Sequence, residues 1–312
     1  MNTTVTNAPI TTPAAAEKPI VNISFYKFLN MPSELQNLRE EFLALAQQKN
    51  LKGTILLAPE GINAFYCGVA EDVSAFSEIL KQWIRNQDSD VEVRESDFKI
   101  SASGTRPFKR MLVKLKKEII SMGIPSVKPK EFTGKRVTAK ELKDWYDNQK
   151  DMVILDTRND YELRLGTFKN AIDLNLQTFR QFPQVIKQLP EDMKDKTVVT
   201  FCTGGIRCEK ATAALINEGF KNVYQLDGGI LKYFEEVGGD HYNGDCFVFD
   251  YRVAVDPKLN QTDAVICYNC QNPITGPEQR SPEYVYGKSC PYCFNKPKTH
   301  KEQIAKELSG RS

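Results

Sequence analysis

Five β-favouring residues, Thr197-Val198-Val199-Thr200-Phe201, run straight into Cys202-Thr203-Gly204-Gly205-Ile206-Arg207-Cys208, and helical periodicity takes over from Cys208 to Glu218. A strand that hands over to a helix through so short a loop commits this part of the chain to layered α/β architecture. Two adjacent glycines let successive N–H groups turn inward as a nest for an anion. The following helix adds the positive end of its dipole, and Arg207 adds a fixed charge. A sulfur at the mouth of that nest is expected as a thiolate, with a pKa well below the roughly 8.5 of free cysteine. Cys208 stays open to two readings: a thiol able to resolve an adduct on Cys202 as a disulfide, or a packed helix residue.

Strands and helices alternate on both sides of this loop. Thr138-x-x-Glu141 forms a capping box for a helix over 139–148, strands are predicted at 152–156 and 223–226, and a further helix follows Gly229. About 105 residues in this order predict a parallel sheet covered by helices on both faces. Asp156 and Cys202 then fall at the C-terminal strand ends, where such sheets carry their functional loops. Asp156 and Arg158 are read as braces of that region rather than as reacting groups.

Upstream, strand-like runs at 21–29, 53–58, 64–69, 91–99 and 110–120 enclose two amphipathic helices. The first carries Leu35, Leu38, Phe42, Leu45 and Ala46 on one face, and the second Val73, Phe76, Ile79, Leu80 and Trp83. The order is that of a ferredoxin-like βαββαβ domain, its last two strands forming one hairpin. The domain reading is therefore a tail over 1–19, a ferredoxin-like domain over 20–120, a surface linker over 121–137, an α/β domain over 138–243, and a cysteine-bearing segment with a basic tail over 244–312. Residues 1–18 lack the basic start and apolar stretch of a signal peptide, and no apolar run approaches the roughly 18–20 residues that cross a bilayer.

Of eight cysteines, four form two CxxC pairs, Cys267/Cys270 and Cys290/Cys293, a usage that belongs to a reducing compartment such as the cytosol. Each pair brings two thiolates onto one tetrahedral ion. Four soft ligands select zinc over hard cations, iron remaining the alternative, and leave no open coordination position, so the role is structural. His300 is left as a tail residue.

Net charge is only +2, which gives no bulk argument for nucleic acid. Its distribution does: between Lys99 and Lys140 twelve Lys/Arg stand against two acids, a local net of +10 that leaves about −8 for the rest. Lys109, Arg110, Lys114, Lys116, Lys117, Lys128 and Lys130 are the cations expected to track a phosphate backbone. Tyr26, Phe65, Tyr66 and Phe108 could stack on bases, but aromatics in such a sheet are more often core, so no site role is given to them.

The central domain resembles the rhodanese family through Asp156-x-Arg158-x-x-x-Glu162-x-x-x-Gly166-x-Phe168, the Cys202 loop, and Leu226-Asp227-Gly228-Gly229. Rhodanese relatives that are phosphatases place five residues between cysteine and arginine. Here four separate Cys202 from Arg207, a cradle better suited to sulfur chemistry than to a phosphoester. The whole chain from about 20 to 300 resembles the bacterial tRNA uridine hydroxylases. The resemblance is carried by Gly53-Thr54-Ile55-Leu56-Leu57-Ala58-Pro59-Glu60-Gly61-Ile62-Asn63, Gly166-Thr167-Phe168-Lys169-Asn170-Ala171-Ile172, the segment from Cys202 to Ala211, and Gly244-Asp245-Cys246-Phe247-Val248-Phe249-Asp250-Tyr251-Arg252. It implies oxygen-dependent conversion of the wobble uridine of tRNA to 5-hydroxyuridine, with Cys202 as the catalytic cysteine, tRNA as partner, and no flavin or haem motif. A sulfurtransferase acting on tRNA or a small acceptor, and an RNA-binding scaffold without activity, are the competing readings.

Overall fold

A computed structural model describes residues 19–295; the predicted N-terminal tail to residue 18, the basic tail from 296 and His300 lie outside the described residues. The first domain runs β1 (Ile20–Phe28), α1 (Leu35–Gln48), β2 (Lys52–Ala58), β3 (Gly61–Gly68), α2 (Ala70–Gln87), β4 (Lys99–Ser103) and β5 (Met111–Leu115). Its sheet order is β4-β1-β3-β2-β5, the ferredoxin-like arrangement with a fifth strand laid parallel to β2. The last two strands are thus not a hairpin; they lie on opposite edges. Of the strand expected over 91–99 only Lys99 is in one, the first residue of β4, because Asp97 accepts hydrogen bonds from the Arg94 backbone and side chain and forms an ion pair with Lys27 at 2.6 Å, which winds 95–97 into a helical turn.

Strand alternation gives this sheet two faces with different tasks. Ile23, Phe25, Ile55, Leu57, Ile62, Ala64 and Tyr66 pack beneath α1 and α2 against Phe42, Phe76 and Leu80. Asn22, Ser24, Tyr26, Thr54, Leu56, Asn63 and Phe65 point the other way, toward the second domain, and roof a cavity.

The second domain comprises β6 (Lys135–Val137), α3 (Ala139–Asp147), β7 (Val153–Asp156), α4 (Asp160–Leu163), β8 (Gly166–Phe168), β9 (Ala171–Asp173), α5 (Phe182–Ile186), β10 (Thr197–Phe201), α6 (Ile206–Asn217), β11 (Asn222–Leu226), α7 (Gly229–Val237) and β12 (Tyr242–Gly244). Its sheet, β6-β11-β10-β7-β9, is parallel throughout, with cores on both faces. The capping box at α3 forms as spaced: Thr138 N–H donates to Glu141 at 2.8 Å, and Glu141 N–H donates to Thr138 Oγ1 at 3.2 Å.

Residues 121–137 do not simply lie over the surface. Met122 and Val127 are buried in the second domain's core, with Ile120, Ile124 and Phe132 packed against it, and 135–137 are the sheet's edge strand. Two further ties join the domains: Lys210, 2% exposed, bridges Glu60 at 2.8 Å and Glu118 at 2.6 Å, and Tyr26 donates to Glu209 at 3.0 Å. Beyond β12 come short hairpins, Cys246–Phe247 with Ala254–Val255 and Val265–Ile266 with Pro273–Ile274, and then the cysteine module. Among the described residues no helix is long and apolar enough to cross a membrane.

Candidate active site

Gly205 sets the loop. Its φ of 97° places it in the left-handed region as the cap of α6, so the helix begins at Ile206, two residues earlier than periodicity predicts, and brings its first amides onto the sulfur. Gly205 N–H donates to Cys202 Sγ at 3.1 Å. A second glycine holds the loop from outside: at Gly229, also with positive φ, a Cβ would lie 2.5 Å from the Cys202 carbonyl oxygen. That close approach lets Ile230 N–H donate to Cys202 O at 3.0 Å and Leu231 N–H to Thr203 O at 3.1 Å.

Burial alone would push the Cys202 thiol up. The Cys208 S–H, the Arg207 guanidinium, and the amides of Arg207 and Gly205 outweigh it and bring Cys202 down to about 6. Cys208 moves the opposite way, well above its ordinary value, because it is buried and donates to the neighbouring sulfur. Arg207 does not point free into solvent. Its guanidinium makes paired contacts with Glu162 at 2.5 and 2.8 Å, both side chains being buried, and Glu162 also accepts from Thr203 Oγ1 at 3.3 Å. Asp156 and Arg158 form a separate buried pair at 2.6 Å, and Arg158 donates further to Gly166 O at 2.7 Å. They brace the β8 segment, while Glu162 fixes the arginine of the loop.

Cys202, Thr203, Gly204, Ile206 and Arg207 form one wall of a cavity of about 570 Å³, closed from above by the first domain's sheet and at the side by Phe249 and Arg252. Phe65 and Phe108 line it, so these two aromatics are not core; Tyr66 is, and Tyr26 sits against the loop, its hydroxyl 2.9 Å from where a Gly205 Cβ would stand. Asn159 Oδ1, a lining residue's amide oxygen, is buried without a hydrogen-bond partner.

The seven predicted phosphate-tracking cations divide. Lys109, Arg110, Lys114, Lys116 and Lys117 are exposed and form no ion pair among the described residues. Lys128 pairs with Glu131 at 2.9 Å and Lys130 with Asp88 at 2.5 Å, so both are already engaged within the chain.

Cys267, Cys270, Cys290 and Cys293 converge, with their sulfurs within 4.8 Å of one another and neighbouring pairs at 3.5 to 3.9 Å. A tetrahedral ion with metal–sulfur bonds of about 2.3 Å requires sulfurs roughly 3.8 Å apart. Asn272 donates to Cys270 Sγ at 3.3 Å and the Cys290 amide to Cys293 Sγ at 3.3 Å, the outer hydrogen bonds expected around metal-bound thiolates. The four cysteines fit one metal ion.

Two family models and many curated relatives match this chain. Residues 20–119 match the UPF0176 acylphosphatase like domain, and 138–236 match the rhodanese-like domain. A tRNA uridine(34) hydroxylase of Cupriavidus pinatubonensis is 48% identical over 282 residues, 89% of this chain and 97% of the relative. One of Burkholderia cenocepacia is 48% identical over 279 residues, 88% of this chain and 97% of the relative. This chain belongs to the tRNA uridine(34) hydroxylase family. Among solved structures, a rhodanese-related protein of Thermoplasma volcanium matches 33% of this chain and 93% of its own at 27% identity and a TM-score of 0.28.

Within this family frame, the sequence pattern marked Glu162 as a motif position without a role, gave Tyr26 no site role, quoted Phe249 only within a stretch of resemblance, and missed Asn159 altogether. Their signal is spatial: each gains meaning only when two domains meet over one loop. The thiolate itself has a direct check. Alkylation of Cys202 by iodoacetamide should rise with pH through a midpoint near 6, the value at which its thiol is held. A free cysteine rises through about 8.5. The midpoint is the sharper readout than speed at one pH, since a more acidic thiol is also a weaker nucleophile. A midpoint near 8.5 would remove the anion nest from the account.

Proposed function

We propose that this chain hydroxylates C5 of uridine 34, the wobble position of tRNA, with Cys202 as the reacting group and molecular oxygen as co-substrate. The observation that carries the reading is the Cys202 thiolate in the wall of a cavity between the two domains lined by aromatic rings, in a chain nearly half identical to named uridine(34) hydroxylases. Uracil is buried deep enough in nucleic acid that it must leave its stack to reach such a sulfur. In the cavity, Phe65 and Phe108 supply faces for the ring.

Addition of the Cys202 sulfur to C6 shifts the C5–C6 π pair toward C5 and O4, which makes C5 the nucleophile. Carbon C5 then takes one oxygen atom from the oxidant. Loss of the C5 proton and cleavage of the C6–S bond restore the ring and the thiolate. Replacing C5–H by C5–OH is a two-electron oxidation. With dioxygen as the oxidant, a further two-electron reductant carries the second oxygen atom to water.

Nucleoside mass spectrometry of tRNA from a deletion strain tests the function. Absence of 5-hydroxyuridine, restored with heavy oxygen when the complemented strain grows under ¹⁸O₂, is the expected result. Loss of 2-thiouridine instead would assign Cys202 to sulfur transfer, and an unchanged nucleoside profile would leave only a scaffold. Action on tRNA supports a cytoplasmic location.

Zinc is the ion we assign to the four cysteines, in a structural role. The purified chain should carry about one zinc per molecule. Cys290→Ser should lose it and expose 260–295 to protease, with the Cys202 alkylation midpoint unchanged. Full zinc content in that variant would rule out the site.

A further inference from the structure

A second cavity of about 1080 Å³ opens beside the catalytic one and shares Thr54, Phe108, Val248, Phe249 and Asp250 with it. Four parts of the chain build it: 107–112 of the first domain, α4 of the second, the stretch 247–251, and the metal module through Cys270, Asn272 and Tyr292. Its two carboxylates are matched internally, Asp160 by Arg164 at 2.9 Å and Asp250 by Arg252 at 2.6 Å. Lys109 and Arg110 on its rim are exposed and form no ion pair among the described residues, which leaves the groove positively charged. Beside them stand large aromatic faces open to solvent, Tyr251 at 62% exposure and Phe249 at 47%, with Lys109 Nζ 5.4 Å above the Tyr251 ring. Unpaired cations alternating with open aromatic faces are what grooves for single-stranded nucleic acid combine, the cations for phosphate and the rings for bases. Phe249 belongs to both spaces, its ring 5.7 Å from the Arg207 guanidinium, so a strand lying in the groove leads directly to Cys202.

We propose that this groove holds the unpaired nucleotides flanking the target uridine, stacked on Tyr251 and Phe249 with their phosphates on Lys109 and Arg110. The proposal rests on the first cavity taking the target base. It makes the metal module a wall of the RNA site rather than a remote clasp, because Cys270 and Asn272 line the same groove.

Binding of a fluorescent anticodon stem-loop RNA to the full chain, followed by anisotropy, tests it. Tyr251→Ala should weaken Kd about tenfold, and the Lys109→Glu/Arg110→Glu pair should weaken it about a hundredfold and flatten its salt dependence. An abasic nucleotide next to U34, placed on each side in turn, should cost the wild type about tenfold on one side and cost Tyr251→Ala nothing more there. An unchanged Cys202 alkylation midpoint in each variant verifies that the loop is intact. Wild-type Kd in both variants, or an abasic penalty on each side that persists in Tyr251→Ala, overturns the groove. An RNA abasic at position 34 itself reports on the other cavity: equal binding with and without that base would overturn the catalytic-cavity reading, while the flanking arms still decide the groove.

Discussion

Replacing Cys202 by Ser should lower 5-hydroxyuridine in the tRNA of a complemented deletion strain by at least about 100-fold. The nest that holds the sulfur as an anion cannot do the same for a serine hydroxyl, whose proton is far harder to remove, so the nucleophile disappears. The fold should not notice. Cys202 is fully buried, serine is close to it in shape, and the bonds that brace the loop run from Ile230 and Leu231 amides to backbone oxygens rather than to the sulfur. An apparent Tm within a degree or two of wild type, together with loss of the modified nucleoside, is the combined result expected. Wild-type nucleoside levels would end every version of the mechanism that uses this sulfur.

The second large effect concerns the pair behind the loop. Arg207→Gln should destabilise the protein by roughly 3–5 kcal/mol, since it strands a buried carboxylate, and should lower the apparent Tm by on the order of 10 °C. It should also move the Cys202 midpoint upward. Burial, which raises that thiol, would then face the Cys208 S–H and the loop amides without the guanidinium that now helps to offset it. The sign separates charge from structure. Pairing the change with Glu162→Gln removes the stranded carboxylate and should recover part of the stability, whereas the raised midpoint should remain. A double variant whose midpoint returned to about 6 would show that Arg207 acts on Cys202 only by holding the backbone in place.

Much of this architecture was legible before the fold was known, and the exceptions have local causes. The Thr138 capping box, the parallel order of the second domain and the loop between β10 and α6 all follow from short-range chemistry, and the structure keeps them. The strand expected at 91–99 failed because alternating Val91 and Val93 mimic a pleat, while Asp97 draws the backbone amides nearby into a turn. The strand expected through 120 stops at Leu115; Ile119 N–H instead donates to the Glu60 carboxylate at 2.7 Å, a partner 59 residues away that periodicity cannot register. The cavity is the same problem at larger scale. Its roof is the polar-leaning face of an amphipathic sheet, which in sequence looks like any solvated surface, and Phe65 and Phe108 passed as core because aromatics near such a sheet are more often packed inside it. Local charge counting likewise overstated the basic surface, since Lys128 and Lys130 have acidic partners in or near the same stretch of fold.

The entanglement of 120–137 with the second core bears on how this family is dissected. A fragment cut at 138, where the recognisable domain begins, would leave behind Met122, Val127 and the edge strand β6, and would deprive Lys210 of both carboxylates that neutralise it. Activities measured on such an excised piece would describe a wounded helix beneath the reactive sulfur. The smallest honest unit for biochemistry on Cys202 therefore includes the upstream domain, and chimeras that exchange one half for a relative's should carry Glu60, Glu118 and Lys210 as a single heritable block.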